Sequence, residues 1–156
     1  MAMNNRDRVG KELDLLSEGL LDEVDEVMTR AYQTSDWPAV WAREDAQRWG
    51  GSPRTYTKHD VQVQLRALTE HRPHFKDVLS HAQQGFASEL CETRNLWAHN
   101  EPFSSDDAAR ALDTIERLLH AVDAVVSAAE FAADLHLVHT GQTTSPEYGD
   151  PVEFFT

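Results

Sequence analysis

The sequence has little cysteine and no long apolar run, and each absence excludes a class of protein. Cys91 is the only cysteine among 156 residues, so no internal disulfide can form, and a reducing compartment is expected. No uncharged apolar stretch approaches the length that spans a bilayer, and the amino-terminal residues lack the apolar core of a signal peptide. We therefore expect a cytoplasmic protein without a membrane segment.

Basic residues are also scarce, since 14 Lys and Arg face 27 Asp and Glu and the net charge is -13. Nucleic-acid binders usually carry a basic surface, so this balance argues against such a role for the chain as a whole. The charge is uneven, however. Residues 12–26 contain seven acids and no base, whereas residues 43–76 contain seven bases and four acids. A nucleic acid is expected to approach the middle segment and to be repelled by the first helix.

The sequence further lacks a glycine-rich phosphate loop and a full set of metal ligands. No glycine spacing of the P-loop or dinucleotide-binding type occurs, so ATP use is not expected. His71 and His74 flank a proline, and His136 and His139 are three residues apart in one helical pattern. Two ligands do not make a zinc site, and there is no second cysteine. We predict neither a metal nor a cofactor.

Helical periodicity, in contrast, is abundant. Apolar residues recur at three- and four-residue steps over about 7–32, and shorter patterns predict helices over 58–71 and 74–99. A last helix should begin at a Ser104 or Ser105 cap and extend to about His139. There is no strand alternation and no repeat, so the predicted fold is all-α, a bundle of four to five helices. Residues 1–140 form one predicted helical domain, and residues 141–156 a polar acidic tail or linker.

Residues 33–57 show no clean period and are predicted to form a long connection. Three tryptophans lie in it, among turn signals at Pro38, Gly50-Gly51 and Pro53. One interpretation is that they pack down as a satellite of the core. The alternative is a stacking surface for single-stranded nucleic acid, interleaved with basic residues. The candidates for RNA contact are Arg43, Arg48, Arg54, Lys58, Trp41, Trp49 and Tyr56.

The most informative stretch is RNLWAHN, residues 94–100, near the end of a predicted helix that Pro102 follows. Asn95 and His99 are four apart and share a helix face, and Arg94 lies about 100° round from Asn95. A guanidinium keeps its proton, whereas an imidazole titrates near neutrality. Together they are suited to the cleavage of a phosphodiester.

These residue types also have an ordinary structural explanation. Arg94 would then form an ion pair with Glu89 or Glu101, and His99 and Asn100 would cap the last carbonyls of the helix. The sequence alone leaves both interpretations open.

The stretch resembles the signature of the HEPN superfamily (higher eukaryotes and prokaryotes nucleotide-binding domains). That signature is an arginine, usually followed by a polar residue, and a histidine four to six residues beyond the arginine. Arg94, Asn95 and His99 match it here. The surroundings are similar to a bacterial branch named after a yeast nuclear RNA endonuclease, over about residues 8–125. The similar segments are VGKELDLLSEGL (9–20), ELCET (89–93), EPFSSDD (101–107) and RALDTIERLL (110–119).

The resemblance implies a HEPN-type helical bundle and metal-independent cleavage of single-stranded RNA by the substrate's own 2′-hydroxyl. Arg94 would stabilise the phosphorane, His99 would move a proton, and Asn95 would orient His99 or hold the RNA. In the family, two copies of the motif meet across a two-fold axis. The resemblance therefore also implies a homodimer through the motif face.

Members of that branch often head large ATPase or helicase-like proteins of phage-defence systems, so two functions are carried forward. The first is an endoribonuclease of the toxin or phage-defence type. The second is a non-catalytic module that dimerises, binds RNA or protein, and recruits an ATPase or nuclease partner. The motor is then a separate subunit, or this chain is a piece of a longer protein. A third interpretation, an acidic partner that masks a basic protein, depends on charge alone.

Overall fold

The computed structural model describes the backbone of residues 4–139 and the side chains of residues 4–123. That part of the chain contains five α-helices and no strand, which confirms the predicted all-α fold. The elements are α1 (Asn5–Tyr32), α2 (Trp37–Trp49), α3 (Val61–Glu70), a 3-10 turn (Arg72–Phe75), α4 (His81–Ala98) and α5 (Ser105–His139). The predicted tail, 141–156, and the side chains of His136 and His139 lie outside the described residues. None of the described helices is long and apolar enough to cross a membrane.

Four of the helices begin at a side-chain cap. In each case an oxygen of the capping residue accepts a hydrogen bond from a backbone N–H of the first turn, which the helix itself leaves unpaired. The pairs are Asn4 with Asp7 at 2.7 Å, Asp60 with Gln62 at 2.9 Å, Ser80 with Gln83 at 3.1 Å and Ser104 with Asp107 at 3.0 Å. The predicted cap of the last helix is thereby assigned to Ser104.

The contacts divide the chain into two units, one ending at Val122 and one beginning at Asp123, and the packing described here concerns the first. Within it, α3 packs against both α1 and α4, and α1 also contacts α2 and the 3-10 turn. Helices α1 and α5 approach closely at Gly19, where a Cβ atom would collide with the side chain of Leu119. The largest fully buried aliphatic side chains are Leu16, Leu20, Met28, Leu65, Leu68, Leu79, Leu90, Ile115 and Leu118. Helix α4 is thus held on a packed core.

The prediction of a long connection over 33–57 was wrong, because α2 occupies thirteen of these residues. Trp37, Trp41 and Asp45 are four residues apart and all buried, so the helical period is present. The apolar pattern of the sequence did not show this period, because the third of these buried positions is occupied by a carboxylate. Pro38 lies in the first turn of α2, where its missing N–H costs nothing, and starts the helix instead of a turn. The predicted packing on the core is confirmed for Trp37 and Trp41.

The predicted helix 74–99 begins seven residues later than expected, at His81. Pro73 stays in the 3-10 turn, from which Phe75 reaches the core. The true start is a capping box, in which Ser80 and Gln83 exchange hydrogen bonds between side chain and backbone. The end of α4 agrees with the prediction to within one residue, and so the motif lies on its last turn.

Candidate functional site

Helix α4 ends in a turn that its own backbone closes. Asn100 adopts a left-handed conformation with φ 58°. Its N–H donates to the carbonyl of Trp97 at 3.2 Å, and the N–H of Glu101 donates to the carbonyl of Leu96 at 3.0 Å. This is the Schellman arrangement, and it satisfies the last carbonyls without a side chain of α4. These carbonyls therefore do not need the His99 imidazole as a cap, which is the role that the structural explanation gave to it.

The guanidinium of Arg94 is half-buried and forms none of the ion pairs found within residues 4–123. Glu89, one of its two expected partners, accepts hydrogen bonds from Arg110 at 2.6 Å and from the Thr114 hydroxyl at 2.6 Å. These two donors lower the pKa of the Glu89 carboxyl. Arg94 consequently keeps its charge available for an anion.

Arg94 and His99 line different clefts of the same chain, and Asn95 lies between them. The first, the Arg94 cleft, is lined by Gln62, Leu65, Arg66, Cys91, Arg94 and Asn95. The second, the His99 cleft, is lined by Glu92, Asn95, Leu96, His99 and Glu101. The side chains of Asn95 and His99 are exposed, and Leu96 is 49% exposed. One chain therefore presents the motif's cation and its imidazole on two sides of Asn95.

A third depression lies on the opposite side of Arg94, against α1. This acidic groove has a volume of about 720 Å³ and is lined by Asp14 and Glu18 from α1, by Asp60, and by Arg94 and Trp97 from α4, among others. Three carboxylates beside a single guanidinium disfavour a phosphate on this side. An anion would reach Arg94 more easily through the Arg94 cleft.

The amino-terminal turn of α1 holds the end of α4 in place. The guanidinium of Arg6 donates to the Trp97 carbonyl at 3.0 Å and lies 4.8 Å from the centre of the Trp97 ring. The side-chain amide of Asn5 donates to the carbonyl of Phe103 at 3.1 Å, just beyond the motif. Sequence reasoning missed these contacts. The available signal was the four-residue spacing of Arg6 and Gly10, which share one face of α1.

Two of the residues expected to contact RNA make contacts within the protein instead. Trp41 is only 3% exposed, with the Arg66 guanidinium 4.7 Å above its ring, so it offers no face to a base and is removed from the candidate surface. Lys58 forms an ion pair with Asp25 at 2.9 Å, on the acidic first helix. Both side chains serve the packing of α1, α2 and α3.

A buried ion pair that sequence reasoning missed lies beneath this region. Asp45 is 5% exposed and accepts hydrogen bonds from Arg66 at 2.9 Å and from the Tyr56 hydroxyl at 2.5 Å. Arg66 also binds Glu70 at 2.5 Å, and chiefly because of this bond its pKa is raised. Burial, together with the Asp45 carboxylate, raises the pKa of the Tyr56 hydroxyl. The network fixes Arg66 between two carboxylates.

Four of the five remaining candidates lie at or around Trp49, an exposed tryptophan at the end of α2. Trp49 is 65% exposed, and the Arg48 guanidinium lies 5.6 Å from its ring centre. A depression of about 410 Å³ beside it, the Trp49 groove, is lined in part by Trp49, Arg54, Tyr56, Gln62 and Arg66. Three of the seven candidates therefore meet in one groove and Arg48 adjoins it, whereas Arg43 is exposed on α2 outside that lining.

Residues 11–123 match the family model described as Swt1-like HEPN, which covers well over half of the chain. The chain belongs to the Swt1-like HEPN family. No curated protein and no solved structure matches it. The matched part of this HEPN domain runs from the first turns of α1 to α5 and includes the motif on α4 and the Trp49 groove.

Among the described side chains of the HEPN domain, no three or more histidine, cysteine or carboxylate groups cluster as they would around a metal ion. Cys91 is half-buried in the Arg94 cleft, and burial raises the pKa of its thiol. A raised pKa keeps the thiol protonated, which makes it a poor nucleophile. The polar groups of the motif are the guanidinium of Arg94, the amide of Asn95 and the imidazole of His99.

Proposed function

We propose that this HEPN domain is a metal-independent endoribonuclease of the toxin or phage-defence type, which acts in the cytoplasm as a homodimer. The supporting observation is the end of α4. Backbone groups close it, so His99 is not used as a cap, and the side chains of Arg94, Asn95 and His99 make no hydrogen bond within residues 4–123. Three polar side chains without structural partners, side by side on a rigid helix, are ready to bind a ligand.

The proposed reaction cleaves RNA by internal transfer. The 2′-hydroxyl loses its proton to a base and attacks the adjacent phosphorus, and the 5′-oxygen of the next nucleotide leaves with a proton from an acid. An imidazole suits either proton transfer, with His99 as the group. Arg94 binds the non-bridging oxygens and stabilises the charge of the phosphorane. The products are a 2′,3′-cyclic phosphate and a 5′-hydroxyl.

A dimer supplies what one chain lacks. Arg94 and His99 line separate clefts, so the cation and the imidazole of one chain do not share a binding site. In a two-fold dimer through the motif face, the Arg94 cleft of one chain meets the His99 cleft of its partner. The exposed Leu96 beside His99 would be covered in that contact.

The test is the cleavage of a labelled single-stranded RNA in EDTA by the native protein, with the product ends identified. Cyclic-phosphate ends are expected, and their formation should fall by at least about 100-fold in His99→Ala and in Arg94→Ala. The matched controls are His120→Ala and Arg30→Ala, because both of these side chains are exposed on other helices. Full activity in His99→Ala would refute the proposal.

The second candidate function is the non-catalytic module that recruits an ATPase or helicase-like partner. The observation that favours it is the carboxylates beside both motif residues: Asp14 and Glu18 line the groove with Arg94, and Glu92 and Glu101 line the cleft with His99. These charges repel phosphate. A folded dimer that never cleaves RNA but forms a stable complex with such a partner would decide for this function.

A further inference from the structure

We propose that the Trp49 groove is a binding subsite for one unpaired nucleotide of an RNA strand, and that the strand runs from it across α3 to Arg94. The proposal rests on the ribonuclease function proposed above and adds the path of the substrate. It gives a role in RNA binding to surface residues that are separated from the motif on α4 by helix α3.

The path is short because each depression is separated from the next by one or two side chains that line both. Gln62 and Arg66 of α3 line both the Trp49 groove and the Arg94 cleft. Asn95 in turn lines both the Arg94 cleft and the His99 cleft. A strand that enters beside Trp49 therefore has to cross only Gln62 and Arg66 to reach the Arg94 cleft, and only Asn95 to reach the His99 cleft. We name this path the α3 track and define it by Trp49, Arg54, Gln62, Arg66, Arg94 and Asn95.

The chemistry of the Trp49 groove fits a nucleotide. An indole that is 65% exposed offers a flat surface on which a base can stack. Arg48 covers the ring from 5.6 Å, which leaves the opposite face to a base. Arg54 is exposed and forms none of the ion pairs found in the described part of the chain, so it can bind the phosphate.

The charge along the track explains why the strand takes this side. Arg66 pairs with Asp45 and Glu70, which leaves the crossing of α3 with one net negative charge. Arg54 at one end of the track and Arg94 at the other outweigh that charge. On the far side of Arg94, the acidic groove places Asp14 and Glu18 without a basic partner within residues 4–123. A polyanion is attracted on one side of Arg94 and repelled on the other.

The middle segment presents less positive charge to a nucleic acid than its sequence suggests. Part of its positive charge is used internally, by Lys58 with Asp25 and by Arg66 with Asp45 and Glu70. What remains near the track is Arg48 and Arg54, beside one aromatic ring. Binding should therefore depend on stacking as much as on charge.

The experiment measures the binding of a fluorescent single-stranded RNA that carries 2′-O-methyl groups and so lacks the attacking hydroxyl. Trp49→Ala should weaken its binding by roughly five-fold or more, and Trp49→Phe should restore most of the affinity, because a phenyl ring still stacks. Arg54→Ala should reduce the slope of log affinity against log salt by about 0.7, the value for one phosphate contact on a single strand.

The matched controls are Leu15→Ala, an apolar side chain 43% exposed on α1, and Arg30→Ala, a basic side chain exposed at the end of α1. Neither should change the affinity or the salt slope. A double-stranded RNA of the same sequence should bind less tightly, since its bases are not available for stacking.

The outcomes separate the subsite from the catalytic proposal. If the native protein cleaves RNA but Trp49→Ala and Arg54→Ala bind and cleave normally, the track is wrong and the ribonuclease stands. If the oligonucleotide binds through Trp49 and Arg54 but unmodified RNA is never cut, the track stands and the catalytic proposal fails. No binding at all overturns the track.

Discussion

Gly10 on α1 lies so close to Trp97 on α4 that a Cβ atom built on the glycine would be 2.7 Å from the indole Nε1. The same indole carries the Arg6 guanidinium on its ring. Its Nε1 is buried and has no hydrogen-bond partner among the described residues. Trp97 is flanked in sequence by the motif residues, so this contact sets where the end of α4 lies. The orientation of the motif depends on the absence of a side chain at residue 10.

Gly10→Ala is expected to destabilise the protein, although alanine is the better helix former. Overpacking against a half-buried indole costs about 1–3 kcal/mol, whereas the gain in helix propensity is about 1 kcal/mol. Gly85→Ala is the matched control, because Gly85 is exposed in α4 and a Cβ atom there meets nothing within 4 Å. Urea unfolding should show a loss for the first variant and a gain for the second. Equal gains in both would contradict the close contact.

Asp45→Ala is expected to cost about 1–3 kcal/mol in the free energy of unfolding, because the Arg66 guanidinium and the Tyr56 hydroxyl lose this acceptor while Arg66 keeps Glu70. The control is Asp113→Ala, which removes an ion pair whose two side chains are 62% and 60% exposed. That loss should stay within about 0.5 kcal/mol. Denaturant midpoints measured under the same conditions compare the two, and similar losses would show that the Asp45 network contributes little.

The His71 imidazole is expected to make stability depend on pH below neutrality. Burial beside Trp41, and secondarily the charge of His74, lowers its pKa in the folded protein. The unfolded chain therefore binds this proton first. The stabilisation is complete above the unfolded pKa of about 6.5 and is lost as the pH falls towards the folded pKa, by at most about 1.4 kcal/mol per pH unit.

The measurement is urea unfolding near neutral pH and about one unit below the ordinary histidine pKa of ~6.5. His71→Phe keeps a packed ring and should show a smaller loss of stability between the two pH values than the native protein. His120→Gln, at an exposed position on α5, should behave as the native protein does. An unchanged pH dependence in His71→Phe would assign the effect to other groups.

Two inactive variants are expected to restore cleavage when mixed, if Arg94 of one chain works with His99 of its partner. A dimer of Arg94→Ala with His99→Ala then keeps one complete pair, and free exchange should recover about a quarter of the native rate. The control is the doubly substituted chain mixed with an equal amount of native protein. Its mixed dimers have no complete pair across the interface, so only the native dimers, about a quarter of the total, should cleave. A mixture of the single variants that stays inactive would mean that each chain supplies its own pair.

The regular helices could be predicted because their apolar residues follow the helical period, as in α1 with Leu13, Leu16 and Leu20. Helix α2 could not, since the buried Asp45 interrupts its apolar pattern, and its partner Arg66 is 21 residues away in the chain. An ion pair between distant residues depends on how the helices pack, which no local pattern records. The capping box of Ser80 and Gln83 could be recognised in the sequence, but the apolar residues before it led to the prediction of an earlier helix start.

For the site, the spacing of Asn95 and His99 was enough to place them on one face of α4. The same spacing did not show that Arg94 faces α3 and the acidic part of α1, because those neighbours come from distant segments. Nor could it show which side chains of the middle segment are exposed. Trp41 and Trp49 are both aromatic residues of α2, yet one is 3% and the other 65% exposed.

The hydrogen bonds from Asn5 and Arg6 to the end of α4 have a practical consequence for engineering the protein. They place the first residues of α1 directly beside the motif, so any purification tag, fluorescent protein or natural domain joined ahead of them would start at the edge of the site. Such a fusion can screen the site from substrate or hold a reporter next to it. A cleavable tag at that end, assayed before and after its removal, would show how much room the site leaves.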